Sequence, residues 1–149
     1  MKKFKFSLDK VLRQREIQVD IRKKEFIDAE KLLDDEIQKL NEFTAQKEHA
    51  IAHRRETVSS TTSWSASVEQ INLFLSGQDL RIKNQTERLT EFRNLVESRR
   101  EILQVALTEA KMIEKLKEKK KSEFVKEVLK KEQQEMDELS VVRFSRKEN

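Results

Sequence analysis

The sequence predicts an all-α chain: two long helices forming an antiparallel coiled-coil hairpin, with a longer second helix overhanging the first. Three observations predict it. Val68, Leu75, Ile82, Leu89, Val96, Leu103 and Ala110 are spaced by sevens, the repeat that keeps one apolar stripe facing a partner helix. A second run of sevens, Leu12, Val19, Phe26, Leu33 and Leu40, lies earlier in the chain. Between the two runs, residues 57–67 hold eight Ser or Thr residues, whose hydroxyls compete for backbone hydrogen bonds and favour a turn. One Gly, no Pro, 40% charged and 36% apolar residues fit a Glu/Lys-rich helical hairpin better than a compact globule.

In chain order, Ser7 is placed to cap the first helix, and Asp9 stands in the first turn, where the helix dipole favours a carboxylate. The first helix is expected over residues 7–58. Past Leu40 its stripe moves to a neighbouring flank through Ile37, Ile51 and Val58, the drift that 3.6 residues per turn imposes on a seven-residue repeat. Arg15, Arg22, Glu36 and Lys47 fall on seam positions, so the coil is imperfect and selects its register through polar residues. The turn is expected over residues 59–66, with the only tryptophan, Trp64, either capping the hairpin end or exposed as a contact. Ser67 and Gln70 fit a capping box, which starts the second helix at residue 67. It should run to residue 142, followed by a tail over 143–149, the whole being a single domain over 1–149. Gly77, preceded by Ser76, marks the weakest point of that helix. Pairing outward from the turn brings residue 8 opposite residues 116–120 and leaves the last part of the second helix without a partner.

Composition narrows the function. No Cys is present, so there are no disulfides or thiolate metal sites. No apolar run reaches the ~18 residues of a membrane span, and the basic N-terminus lacks the apolar stretch of a secretory signal. A single Gly rules out the glycine-rich phosphate loops. His49 and His53 stand at i and i+4 with Glu56 nearby, but lack the further ligand a metal site needs. A two-helix coil has no interior in which to bury and orient a catalytic triad. The reading is therefore a protein that is not an enzyme, with no cofactor and no metal.

Charge is unevenly placed. Residues 1–24 carry nine Lys or Arg against three acids, residues 111–131 nine Lys against four acids, and residues 25–48 three Lys against eight acids. In a hairpin the two basic stretches meet at the end that holds the termini, giving a basic stem. A net charge of +4, mixed with Glu, is too small to require nucleic acid; charge alone describes a solvated Lys-rich helix end. Arg15, Arg22, Arg99 and Lys117 make the seam weakest toward that stem. Among the aromatics, Phe26, Phe92 and Phe124 fall on the seam, Phe43 and Phe74 lie at its margin in the other half, and Phe4 and Phe6 precede the first helix.

The string Phe4-x-Phe6-x-Leu8-x-x-Val11-Leu12-x-x-Arg15-Glu16 resembles the N-terminus of the FliJ family of flagellar export proteins. Lys115-Leu116-Lys117-Glu118, and Asp137-Glu138 followed by Arg143, resemble that family's C-terminal pattern. The resemblance implies an antiparallel coiled coil similar to the central stalk of rotary ATPases. It implies that the paired termini enter the hexameric flagellar export ATPase, that the coil contacts the cytoplasmic domain of the export gate, and that substrate chaperones are escorted. Carried onto this chain, the ATPase-binding stem comprises Phe4, Phe6, Arg13, Arg15, Lys117, Lys119, Lys120 and Lys121. The gate-binding residues are Leu40, Phe43 and Phe74; Glu36 matches the polar start of that face. Lys47 stands where an aromatic is expected, and Gln78, Arg81 and Gln85 replace a more apolar or small set. The implied location is cytoplasmic, peripheral at the cytoplasmic face of the membrane. The equivalent stalk of a virulence secretion system, a purely structural scaffold, and a basic helix binding nucleic acid or anionic lipid are the alternatives.

Overall fold

The structure is a computed structural model that describes residues 2–60 and 66–149. Trp64 and most of the expected turn lie outside the described residues. Two helices are present, α1 over Asp9–Ser60 and α2 over Ala66–Glu148, with no strand among the described residues. They pack against each other antiparallel, and α2 is the longer.

Both helix starts differ from the expected caps. The Leu8 carbonyl accepts the first α1 hydrogen bond from the Leu12 N–H at 2.9 Å, and the Asp9 N–H donates to the Phe6 carbonyl at 3.2 Å. Leu8 therefore holds the cap position, and Ser7 belongs to the turn before it. Helix α2 already includes Ser67 in its first turn, so Ser67 is not its cap. It also continues through the expected tail to Glu148. Nothing after Gly77 breaks a helix, the Ser140 and Ser145 hydroxyls bond back to the Met136 and Val142 carbonyls, and Arg146 and Lys147 in the last turn suit the dipole. Helix α2 is unbroken through Ser76 and Gly77, and Gly77 does not adopt a left-handed conformation.

The chain divides into two compact units, Met1–Asp20 with Gln104–Asn149, and Ile21–Leu103. Each pairs a stretch of α1 with a stretch of α2. In the second unit the partners run in opposite directions: Glu25 meets Arg99, Glu36 meets Gln85, Gln46 meets Gln78 and Arg54 meets Asn72. Its buried core is Ala29, Val68, Leu75, Leu89 and Val96, interleaved with buried Glu36, Gln78 and Gln85. In the first unit Arg15 meets Glu109 and Asp9 meets Lys117, the register expected for residue 8, around buried Leu12, Ala106 and Ala110.

The expected drift of the α1 stripe occurs only in part. Beyond Leu40 the half-buried positions continue through Phe43, Lys47, Ala50, Arg54 and Thr57, and Ile37 and Ile51 on the neighbouring flank are half-buried as well, while Val58 is exposed. A helix wound at 3.5 residues per turn keeps one register, so α1 holds polar residues on the seam beside the apolar flank of Ile37 and Ile51.

Candidate interaction surfaces

In the first unit the segment before α1 folds back on α2. The Phe4 ring lies 5.7 Å from the Phe124 ring at 47°, a tilted geometry that aromatic pairs favour. Phe4 and Phe6 are both half-buried and line a shallow cleft with Lys2, Lys3, Lys5 and Lys120. The stem cations divide into two sets. Arg15 is bound to Glu109 at 2.7 Å and Lys117 to Asp9 at 2.9 Å, so these two close the seam between α1 and α2. Arg13, Lys119, Lys120 and Lys121 are exposed, and Lys120 reaches Glu123 one turn on at 3.6 Å. From residue 129 onward every residue of α2 is exposed, including Leu129, Met136, Leu139 and Phe144.

In the second unit the seam is polar where the sequence is read most easily as surface. Gln78, fully buried, donates to the Phe43 carbonyl at 2.9 Å and to Gln46 Oε1 at 3.0 Å. Gln85 donates to the Glu36 carbonyl at 2.9 Å and to Glu36 Oε2 at 2.6 Å. The Glu36 carboxylate, 5% exposed, also receives Lys39 Nζ on Oε1 at 3.1 Å and lies 3.1 Å from Arg88 Nε through Oε2. The Gln85 hydrogen bond, helped by Lys39 and Arg88, holds this carboxyl below its usual pKa against the opposing effect of burial. Arg88 also sits 5.5 Å over the Phe92 ring, as Arg100 sits 5.7 Å over Phe26. The half-buried seam aromatics are thus covered by guanidinium groups.

Residues 4–149 match the family described as flagellar FliJ protein. The chain belongs to this family. No curated protein and no solved structure matches it. The FliJ family makes the chain a flagellar export-related protein.

Set against the residues carried over from the FliJ resemblance, the structure brings Phe4, Phe6 and Lys120 together around one cleft and leaves Lys119 and Lys121 exposed nearby in the chain. Of the residues assigned to gate binding, Leu40 and Phe43 are half-buried on the seam, and Phe74 is 42% exposed. Gln78 and Gln85 are buried in the seam, so they do not belong to an exposed binding face; the exposed apolar residues beside Phe74 are Leu73, at 74%, and Leu80. Reading for apolar residues missed both glutamines. Two signals were present: Ile71, Gln78, Gln85 and Phe92 are spaced by sevens, and Gln-x-x-Arg recurs at 78–81 and 85–88. His49 and His53 are exposed, and among the described residues no group of His, Cys, Asp or Glu is arranged to hold a metal ion. No helix is long and apolar enough to cross a membrane among the described residues.

Proposed function

We propose that this protein is a non-enzymatic stalk and escort chaperone of the flagellar type III export apparatus. It inserts its basic paired-terminus end into the hexameric export ATPase, contacts the cytoplasmic domain of the export gate, and works in the cytoplasm at the inner face of the membrane. The observation that carries this reading is the stem. Phe4 ties the N-terminal segment to α2 at Phe124, next to Lys119, Lys120 and Lys121, and α2 continues with every residue from 129 onward exposed. A basic stretch followed by a bare helix end, beside a clamped terminus, is suited to entering a ring whose wall supplies the missing partner, and exposed lysines steer such an encounter. Leu40, Phe43 and Phe74 in the second unit are assigned to the gate, and substrate chaperones are the further partners.

The test is co-purification with the export ATPase followed by measurement of its hydrolysis rate. The wild-type chain is expected to form a complex and raise the rate. Reversal of Lys119, Lys120 and Lys121 to Glu should weaken both effects without changing helix content. An unchanged hydrolysis rate with no complex would sink the proposal.

A further inference from the structure

The heptad Gln78-Asp-Leu-Arg81-Ile82 is followed directly by a second of the same pattern, Gln85-Thr-Glu-Arg88-Leu89. The second copy is a filled carboxylate site: Gln85 donates to the Glu36 carbonyl and carboxylate, and Arg88 completes the grip. In the first copy Gln78 makes the equivalent bond to the α1 backbone, at the Phe43 carbonyl, one heptad along α1 from Glu36. There the side chain is a phenyl ring and supplies no carboxylate, and the second Gln78 hydrogen bond goes instead to Gln46 Oε1 at 3.0 Å. Arg81 is exposed and, among the described residues, bonds only to Gln78 Oε1, in its own helix, at 3.2 Å. It has no ion-pair partner among the described residues. Phe43 and Arg81 border an open groove of about 460 Å³ that continues past Asn84 and Arg88 to Glu87 and Glu91.

We propose that this groove takes a carboxylate side chain from a protein partner, docked on Arg81 beside the Phe43 ring. This rests on the gate contact proposed above and gives that contact its chemistry: an Asp or Glu next to an apolar residue. Glu36 on Arg88 is the internal template for the bond, because the arginine at the same heptad position one heptad away already binds a carboxylate, while Gln78 is buried with its donors taken by the Phe43 carbonyl and Gln46. An Arg guanidinium favours this ligand through its planar fork of donors. Polarity orients the segment. Arg81 and Glu91 are about 15 Å apart along α2 at 1.5 Å per residue, so the partner presents its acid at the Arg81 end and a neutral or basic residue toward Glu87 and Glu91.

Calorimetric titration of the full chain against the cytoplasmic domain of the export gate tests this, at low and high salt. Arg81→Gln should weaken binding about tenfold, as loss of a charge-assisted contact does. Arg81→Glu should weaken it further, Arg81→Lys should retain part of it, and Arg81→Gln should flatten the salt dependence. Helix content and melting temperature should stay at wild-type values, since Arg81 is exposed. Wild-type binding that survives Arg81→Glu with the same salt dependence overturns the carboxylate site and leaves the gate contact standing, as does loss of binding in Phe43→Ala alone. No binding by the wild-type chain overturns both. If Arg81→Glu instead changes only the sedimentation of the chain by itself, a second copy fills the groove and the proposal fails.

Discussion

Glu36 and Gln78 show how a seam can hold polar residues for different reasons. The Glu36 carboxyl is held below its usual pKa first by Gln85 and then by Lys39 and Arg88. A carboxylate with a depressed folded pKa contributes stability that is fully present above its unfolded value, near 4.3, and is lost as pH falls through the lower folded value. The melting temperature should therefore fall from pH 6 toward pH 3, and part of that fall should disappear in Glu36→Gln; identical pH profiles for the two chains would contradict this. The two glutamines separate in the same way. Gln78→Leu exchanges hydrogen bonds to a backbone carbonyl and a neutral amide, and the one accepted from exposed Arg81, for apolar burial. Water can solvate the Arg81 guanidinium instead, so terms of about 1 kcal/mol each nearly cancel. Gln85→Leu strips a buried carboxylate of its main donor. Urea unfolding should place the Gln78→Leu midpoint close to wild type and the Gln85→Leu midpoint clearly below it.

Along each helix, local propensity and packing can be tested separately at Gly77 and Phe124. Gly77 lies inside α2, has an ordinary helical backbone, and a Cβ built on it meets nothing within 4 Å. Gly77→Ala should add about 1 kcal/mol by removing the entropy that glycine loses on entering a helix, read as a higher unfolding midpoint. Among the described residues Phe124 is the only aromatic partner of Phe4. Phe124→Ala should remove about 1 kcal/mol of ring contact and release the N-terminal segment, so that trypsin cuts after Lys5 faster than in wild type while α1 and α2 stay paired. Both helices, their direction and their register were readable from the sevens at 12–40 and 68–110, because a large apolar residue on a heptad position has no better place to go. The polar half of the seam was not readable in that way. Gln78 and Gln85 resemble surface residues until Phe43 and Glu36 on the other helix supply their acceptors, and such pairing across many residues is set by register rather than by composition. The caps failed for a local reason: Leu8 takes the position that hydroxyl chemistry assigned to Ser7, and α2 already includes Ser67 in its first turn.

For the molecule as a whole, α2 has 83 residues and α1 has 52, and the excess lies at the C-terminal end, where residues 129–149 are all exposed. A helix of about 20 residues without a packed face is marginal in water. This one avoids the cost of nucleation, because it extends a helix already formed against α1, but it adds no burial of its own. Deleting residues 132–149 should therefore leave the thermal midpoint unchanged and reduce the helical signal only by the residues removed. Amide exchange should be fastest there in the free chain and slow when the export ATPase is bound, since the exposed Met136, Leu139 and Phe144 then gain a wall to pack against. The same deletion should weaken ATPase stimulation. A fall in the melting temperature on deletion would mean that the end of α2 packs on its own chain, and unchanged exchange in the complex would mean that the ring holds the stem by its lysines alone.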